Sequence, residues 1–393
     1  MDMAKPKIRF KGYQEDWEQR KLGEVAKEFK SGNSLKADEI GITGDYPVYG
    51  GNGLRGYTST YNHDGEFALI GRQGALCGNM NYSVGKAYFT EHAVVVKADE
   101  NNDTKFMYYM LDTMNLGQYS DQSAQPGLAV NKLVKLENLF PQKEEQQRIG
   151  LYFSNVDHLI TLHQRKCDQT KKLKKFMLQK MFPQNGKKVP ELRFSEFTDD
   201  WEQRKLGEFG KTTGGTSIES EFNELGKYKV ISIGSYSETS KYNDQGIRAN
   251  KTNKTESRIL NKNNLTMILN DKTASGNIIG RVLLIDADDS YVFNQRTERI
   301  EVYENEYLPE FLYHFLNADN IREKIIRAAQ GNTQIYVNWN SISELSYKIP
   351  LSKHEQRKIA DLFNQLDHLI TLHQRKYEEL QKVKKFMLQN MFV

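Results

Sequence analysis

Two glycine motifs are the parts of this chain whose spacing most resembles a phosphate-binding site. Gly51, Gly53 and Gly56 match the dinucleotide-binding fingerprint, in which the N-terminus of a helix binds the pyrophosphate. The next five residues, 57–61, read YTSTY, and such β-branched and aromatic residues favour a strand over a helix. The sequence therefore predicts a turn-rich hairpin here and no nucleotide site.

The second motif is Gly210-Lys211-Thr212, which resembles the end of a phosphate-binding loop. That loop needs a glycine five residues before the second one, and Lys205 occupies this position. The match therefore fails.

Other catalytic motifs are also missing from the sequence. None of the eight prolines is followed by proline or aspartate, which excludes the Asn/Asp-Pro-Pro-aromatic motif of amino-methyltransferases and the Pro-Asp…Glu-x-Lys pattern of nucleases. No histidines have the spacing of metal ligands, and no Ser/His/Asp set is recognisable by spacing. We expect no catalytic residues, no metal site and no cofactor on this chain.

The composition is that of a globular protein of two or three domains. The chain has 393 residues, of which 38% are hydrophobic, and its net charge of +4 decides little about partners. We find no apolar run near the ~18 residues of a membrane span and no secretory signal in the first ten residues. We expect a cytoplasmic protein with no membrane partner.

An internal duplication with two different offsets organises the chain. The segment DWEQRKLGE at 16–24 recurs at 200–208, an offset of 184, and DHLITLHQRK at 157–166 recurs at 367–376, an offset of 210. The chain thus alternates variable and constant blocks, and the second variable block is 26 residues longer (210 − 184). Two copies are too few for a solenoid, so the duplication indicates a pseudo-twofold protein.

Each constant block has the pattern of one long helix. Residues 144–181 contain no proline and one glycine, and apolar residues recur with a 3.5-residue period typical of a coiled coil. The positions of this seam are Ile149, Phe153, Val156, Ile160, His163, Cys167, Thr170, Lys174, Met177 and Met181. The positions 210 residues later carry Ile359, Phe363, Leu366, Ile370, His373, Tyr377, Leu380, Lys384, Met387 and Met391. Helices of about 57 Å would pair with each other in antiparallel orientation.

The middle of the seam carries two further features. We expect Leu159, Leu162, Leu369 and Leu372 to widen it there. His163 and His373 occupy seam positions, where they are either a metal-binding or pH-sensing pair or polar residues that fix the register. We favour the second interpretation.

The variable blocks read as mixed α/β domains with the same order of elements. Short apolar runs separated by glycine turns predict strands, and each block has a helix near its end, around 106–111 and 311–316. Gly78-Asn79 corresponds to Gly276-Asn277, and the spacing from Phe89 to His92 recurs from Phe293 to Arg296. We expect one shared scaffold that presents different surface residues.

This combination resembles the specificity subunit of type I restriction-modification systems. The pattern is W-E-x-x-K-L-G-E before each variable block and, after it, a proline four or five residues before E-Q-x-x-I…D-x-L-I…L-Q, over essentially the whole chain. The first set comprises Trp17 to Glu24, Pro141, Glu145, Gln146, Ile149, Asp157, Leu178 and Gln179. The second set comprises Trp201 to Glu208, Pro350, Glu355, Gln356, Ile359, Asp367, Leu388 and Gln389.

The resemblance implies an α+β fold with two pseudo-twofold-related target recognition domains joined by two long antiparallel coiled-coil helices. The expected domains are target recognition domain 1 (1–141), conserved helix 1 (142–182), a linker with target recognition domain 2 (183–350) and conserved helix 2 (351–393). The chain would read a bipartite site in double-stranded DNA with a fixed nonspecific spacer. It would dock two adenine-N6 methyltransferase (modification) subunits and restriction subunits, and would itself be non-catalytic. S-adenosylmethionine, ATP and Mg would be bound by those partners.

Base reading requires side chains that donate and accept hydrogen bonds in the major groove. The candidates lie in glycine-bounded turns, where side chains project from the scaffold. In the first domain they are Arg55, Tyr57, Arg72, Gln73, Asn79, Asn81, Gln122, Gln125 and Lys132. In the second domain they are Tyr236, Lys272, Thr273, Asn277, Arg281, Arg296, Asn332, Gln334 and Tyr336.

Three alternatives remain open from the sequence. The chain could be a solitary enzyme with an unrecognised site, which catalysis by the purified chain would reveal. It could be a coiled-coil adaptor that binds proteins, which salt-sensitive and sequence-specific DNA binding would exclude. It could also be an inactive or recombined variant, because near-identical repeats invite exchange between genes.

Overall fold

The chain folds into two compact units that share the two long helices. A computed structural model describes residues 5–120, 127–184 and 186–393. Unit 1 consists of 1–165 and 373–393, and unit 2 consists of 166–372. The boundary between the units falls inside the long helices, whereas the domain boundaries from the sequence fall at helix ends. Those boundaries stay predictions.

The first half of the chain contains a β-rich domain followed by a long helix. The strands are β1 (Glu18–Lys21), β2 (Ala26–Ser31), β3 (Tyr46–Gly50), β4 (Gly53–Thr58), β5 (His63–Gly71), β6 (Met80–Phe89), β7 (Ala93–Ala98) and β8 (Glu137–Phe140). The helices are α1 (Thr104–Thr113), α2 (Val130–Leu133) and α3 (Lys143–Lys180).

The second half repeats this arrangement with more and shorter strands. The strands are β9 (Glu202–Lys205), β10 (Gly210–Gly214), β11 (Tyr228–Ile231), β12 (Arg248–Ala249), β13 (Ile259–Leu260), β14 (Leu265–Ile268), β15 (Asn270–Asp271), β16 (Val282–Leu284), β17 (Tyr291–Phe293), β18 (Thr297–Val302), β19 (Ile335–Tyr336) and β20 (Ser346–Ile349). The helices are α4 (Asn253–Glu256), α5 (Pro309–Asn317), α6 (Asp319–Arg327), α7 (Trp339–Ile342) and α8 (Lys353–Met391).

Unit 1 is built on a six-stranded sheet with the order β2-β7-β5-β6-β3-β4. Its strands pair antiparallel except β3 and β6, which are parallel. β3 and β4 form a hairpin in which Gly50 pairs with Gly53, and Gly53 has a φ of +87° that favours glycine. The hairpin predicted in place of a nucleotide site is therefore confirmed.

Unit 2 has corresponding pairings in two four-stranded sheets, β10-β18-β14-β16 and β12-β11-β17-β13. β11 pairs in parallel with β17, as β3 does with β6, and β10 pairs with β18 as β2 does with β7. The continuous strand β6 is replaced by β16 and β17, which flank residues 285–290. The shared α+β scaffold is confirmed. Gly210-Lys211-Thr212 lies in strand β10 and forms no phosphate loop.

The repeated W-E-Q-R-K motif forms a strand in each unit and contributes a buried tryptophan to its core. β1 pairs with β8, and β9 pairs with β20, so the motif closes the domain against the strand that precedes the long helix. Trp17 and Trp201 are buried and make edge-to-face contacts with Phe106 and Phe311 on the helices α1 and α5. The motif therefore recurs because it joins the two ends of each variable block.

The repeated Glu-Gln pair anchors the start of each long helix. The amide of Gln146 donates to Pro141 O at 2.8 Å and its oxygen accepts from Asp103 N at 2.9 Å. Gln356 likewise donates to Pro350 O at 2.8 Å and accepts from Leu308 N at 2.8 Å. Each buried glutamine thus ties the long helix to the loop before α1 or α5. The identical contacts explain this part of the repeat structurally.

The long helices pack antiparallel within each unit. In unit 1, Lys384 Nζ lies 2.6 Å from Asp157 Oδ1, and in unit 2 Lys174 Nζ lies 2.6 Å from Asp367 Oδ2, which are the same positions at an offset of 210. The ten seam positions predicted in each helix are all buried or half-buried, as a coiled-coil seam requires.

The expectation that four leucines widen this seam is wrong for three of them. Leu159, Leu369 and Leu372 are 40%, 41% and 40% exposed, and Leu162 is half-buried. Each precedes or follows a seam residue by one position, which rotates its side chain by about 100° away from the partner helix. A pair of helices buries only a narrow stripe, so Leu159, Leu369 and Leu372 face outward.

His163 and His373 face each other with their Nδ1 atoms 3.0 Å apart. Such a pair can share one proton, with one ring as donor and the other as acceptor. Within 5–120, 127–184 and 186–393, no three or more His, Cys, Asp or Glu residues are arranged to hold a metal ion. A hydrogen bond between the two rings would fix the register of the helices, and this role stays an interpretation.

The last residues of each long helix complete a hydrophobic core. Phe392 packs on Phe106 and Phe153 in unit 1, with ring centroids 5.4 and 5.7 Å apart. In unit 2, Phe182 packs on Phe315 and Phe363 at 5.3 and 5.8 Å. Each unit therefore depends on the end of the helix that starts in the other unit. No helix in the described segments has the length and apolarity to cross a membrane.

A buried histidine gives unit 2 a predictable response to acid. His314 on α5 is 2% exposed, and its Nε2 lies 2.8 Å from Asn364 Oδ1. Burial lowers the pKa of His314 to about 4, so the unfolded chain takes up this proton more readily than the folded one. We expect the stability of unit 2 to be complete above pH 6.5 and to fall as the pH drops to 4, by at most about 3 kcal/mol.

Urea unfolding at pH 7 and pH 4.5 measures this loss. His314→Gln should remove part of the pH dependence, whereas His92→Gln, at an exposed histidine of unit 1, should leave it unchanged. An unaltered pH dependence in His314→Gln would contradict the assignment.

Candidate nucleic-acid interface

In unit 1, close approach of two glycine turns gathers the candidate residues. A Cβ atom on Gly71 would lie 2.4 Å from Gly51 O, and one on Gly53 would lie 2.7 Å from Asn81 Oδ1. The backbone contact leaves no room for a side chain at Gly71, whereas at Gly53 the Asn81 side chain would have to move. The turn between β3 and β4 is thereby pressed against the loop that follows β5.

The unit 1 cluster formed in this way consists of Arg55, Arg72, Gln73, Asn79 and Asn81. Gly50 is adjacent to the Arg55 side chain, and Gly71 N donates to Asn79 O at 2.8 Å. Arg55, Gln73 and Asn79 are exposed. The guanidinium of Arg72 is half-buried and makes long bonds of 3.4 Å to Leu128 O and Glu91 O.

The remaining candidates of the first domain are not brought into this cluster. Tyr57 lies at the opposite end of β4, where it pairs with Pro47 and forms a bridge with Gly41. Lys132 is exposed on α2. Gln122 and Gln125 lie outside the described residues.

In unit 2, three segments meet at the corresponding place. β15 and β19 pair Asn270 with Tyr336, and Leu269 N donates to Arg296 O at 2.9 Å. The side chains presented there are exposed and polar, and we name them the unit 2 cluster. Its members are Lys272, Thr273, Asn277, Arg296, Asn332, Gln334 and Tyr336.

Two predicted DNA contacts in unit 2 are corrected by the structure. Tyr236 is 5% exposed and packs in a core with Ile231 and Phe293, so its side chain is not available to DNA. Burial also raises the pKa of its hydroxyl. Arg281 donates through Nε to Asn277 O at 3.0 Å and through Nη1 to Ser240 Oγ at 3.1 Å. Its guanidinium is therefore used within the protein.

Sequence reasoning overlooked two residues that shape the unit 2 cluster. Asp271 is 4% exposed and its carboxylate accepts from Thr273 N, Thr273 Oγ1 and Ile278 N, each at 2.9 Å. An aspartate two residues before the bonded N–H is the signal of an Asx turn, which could have identified it. Arg322 lies on α6, and its contacts with this loop span more than 40 residues, so no local pattern marks it.

The two clusters offer chemistry suited to binding and not to bond breaking. Guanidinium, ammonium and amide groups dominate them, and these groups read guanine and adenine edges in the major groove. The unit 2 cluster contains an aromatic residue, Tyr336, beside Gln334. The unit 1 cluster, which includes Arg55 and Gln73, contains no aromatic residue. The contacts at the starts of the long helices are the same in both units, but the side chains presented by the two clusters differ.

Comparison with known proteins gives the family. The model of the family described as type I restriction modification DNA specificity domain matches residues 14–172 and 198–382. The EcoprrI specificity subunit of Escherichia coli is 42% identical over 156 residues, which are 39% of this chain and 39% of that relative. The MjaVIII specificity subunit of Methanocaldococcus jannaschii is 24% identical and covers 94% of this chain and 91% of its own length.

A solved structure supports the fold. The type I restriction-modification S subunit from M. genitalium aligns with a TM-score of 0.69 at 18% identity, covering 99% of both chains. At 18% identity this similarity supports only the fold. Because the family model matches most of the chain in two segments, this protein belongs to the type I restriction-modification DNA specificity family.

Proposed function

We propose that this chain is the non-catalytic specificity subunit of a type I restriction-modification complex and that it reads a bipartite DNA site. One observation carries this proposal. The two units share their framework contacts, such as Gln146 and Gln356 at the helix starts, but present different polar clusters. A duplicated scaffold with two different sets of donors and acceptors is suited to reading two different half-sites.

Each cluster would read one half-site. Phosphate contacts only position a protein on DNA, so sequence discrimination requires side chains such as Arg55 and Gln73, or Lys272 and Asn277, at the base edges. The long helices contribute to both units and would hold the two clusters at a constant separation, which sets the unread spacer. Tyr57 and Lys132 remain proposed contacts outside the clusters.

Exposed apolar residues on the long helices support docking of partner subunits. Leu173 and Phe176 on α3 are 49% and 48% exposed, and Val383 and Phe386, 210 residues later on α8, are 44% and 56% exposed. Exposed apolar patches mark interaction surfaces. Because the same patch occurs once in each unit, it fits two copies of one partner, and we assign it to two modification subunits.

The catalytic functions would belong to those partners. We propose that S-adenosylmethionine is bound by the modification subunits, and ATP and Mg by restriction subunits, in a cytoplasmic complex. Most side chains of the two clusters carry basic or amide groups, which bind DNA, and this supports a binding role for the chain. Catalysis by the purified chain alone would contradict it and favour a solitary enzyme.

The decisive experiment is to co-express the chain with a type I modification subunit and to map N6-methyladenine across the host DNA. We expect a single split motif with a fixed gap, and a change in one half of it when one variable block is exchanged. Absence of new methylation from an assembled complex would overturn the proposal and favour an adaptor or an inactive variant.

Salt dependence gives a second expected result for the assembled complex. Binding through phosphate contacts releases counterions, so raising the salt from 50 to 200 mM should weaken DNA binding by about 10³-fold if some six phosphates are contacted. Filter binding with the mapped site and a scrambled duplex measures this. Salt-independent binding, or equal binding to both duplexes, would favour a protein-binding adaptor.

A further inference from the structure

The loop of residues 271–279 in unit 2 is held by a buried guanidinium. Arg322 on α6 is 3% exposed, and its Nη2 donates to Gly276 O, Asn277 O and Ile279 O at 3.1, 3.1 and 2.9 Å. Three carbonyl oxygens therefore converge on one nitrogen. The charge of the guanidinium strengthens these bonds in a buried setting.

A buried carboxylate holds the same loop from its other end. Asp271 accepts hydrogen bonds from Thr273 and from Ile278 N, so one side chain spans the turn. Lys272, Thr273 and Asn277 lie between these anchors and are exposed. Thr273 Oγ1 is bound to Asp271, and the exposed amide of Asn277 donates to Glu238 Oε1 at 2.8 Å.

The surroundings of Arg322 keep its guanidinium positively charged at neutral pH. Asp319 Oδ1 lies 3.7 Å from Arg322 Nη1. A second arginine, Arg281, donates to Asn277 O, which Arg322 also binds. Burial lowers the pKa of Arg322 to about 10, which still leaves the guanidinium protonated near pH 7. The carbonyl contacts therefore persist under physiological conditions.

The equivalent loop in unit 1 is held in a different way. Gly78 packs so tightly that a Cβ atom would lie 2.2 Å from Gly117 N, and Cys77 N donates to Gly74 O at 3.0 Å. These are backbone contacts of glycines and involve no buried charge. A change at Arg322 should therefore affect unit 2 alone.

We propose that Arg322 and Asp271 are positioning residues for the second half-site, because they fix the loop that presents Lys272, Thr273 and Asn277. This inference rests on the proposed function, in which unit 2 reads DNA. Both side chains are buried, so neither would touch a base. A loop held in one conformation loses little entropy on binding and penalises a wrong base more strongly than a mobile loop.

The test uses the full chain assembled with its modification subunits. Methylation rates are measured on duplexes in which each base pair of either half-site is changed in turn. For Arg322→Met we expect discrimination in the second half-site to fall by roughly 10- to 100-fold, the range of one good base contact, while the first half-site keeps its discrimination. Arg327→Met is the matched control, because Arg327 is exposed on the same helix and pairs with the exposed Glu323.

Further variants separate positioning from folding. Arg322→Lys keeps a cation that can donate to carbonyl oxygens, so it should restore part of the discrimination. If Arg322 contributed to stability alone, its variants would change the urea midpoint without changing the base preference. Asp271→Asn should act in the same direction as Arg322→Met, and it decides the question if Arg322→Met does not fold. Wild-type preference in the variants, or equal loss at both half-sites, would overturn the inference. Absence of any split motif in the wild-type complex would instead overturn the proposed function.

Discussion

Glu355→Ala is expected to destabilise unit 2 by about 3–5 kcal/mol, because it leaves the half-buried guanidinium of Arg193 and the buried indole N–H of Trp201 without their acceptor. Glu355 is 1% exposed, and its oxygens accept from Arg193 Nε and Nη2 at 2.7 and 2.9 Å. Oε1 also accepts from Trp201 Nε1 at 3.1 Å. The bond to Glu355 raises the pKa of Arg193, which keeps that guanidinium charged. Urea unfolding followed by circular dichroism measures the loss.

The chain contains two controls for this prediction. Glu344→Ala removes an exposed partner of Lys205 and should leave the urea midpoint nearly unchanged, because solvent screens exposed ion pairs. Glu145→Ala breaks the corresponding bidentate pair with Arg9 in unit 1. Trp17 Nε1 has no hydrogen-bond partner among the described residues, so Glu145→Ala should cost less than Glu355→Ala. A Glu355→Ala chain as stable as Glu344→Ala would contradict the argument.

The double variant Arg55→Ala/Gln73→Ala is expected to reduce discrimination in the first half-site by roughly a hundredfold or more. One good base contact contributes about 1–3 kcal/mol of discrimination, and both side chains are exposed members of the unit 1 cluster. Their removal exposes no core residue, so folding should be unaffected. Methylation of single-substitution duplexes by the assembled complex gives the measurement.

A matched control for this double variant lies in the same unit. Arg20→Ala/Gln19→Ala removes the same two residue types from β1, which pairs with β8 away from the cluster. It should leave both half-sites unchanged, and the second half-site serves as an internal reference in both cases. An unchanged first half-site in Arg55→Ala/Gln73→Ala would exclude these residues from base reading.

Most of the scaffold could be predicted from local patterns. The seam of the long helices follows from a 3.5-residue period, because each apolar residue reports its own orientation on the helix. The hairpin at 46–58 followed from turn glycines flanked by β-branched and aromatic residues. The width of the seam was predicted wrongly at Leu159, Leu369 and Leu372, because hydrophobicity alone does not say how many helices share a core.

Which polar side chains face solvent required the folded structure. Tyr236, Arg281 and Lys272 look equally suited to DNA in the sequence, yet Tyr236 is in a core, Arg281 binds Asn277 O and only Lys272 is exposed. Burial depends on neighbours that are distant in the chain, as in the bond from Arg322 to Gly276 O, 46 residues away. The linear order of residues therefore establishes the duplication, the helix seam and the family. The loop conformations, and with them the side chains that can reach a base, depend on long-range packing that leaves no periodic trace.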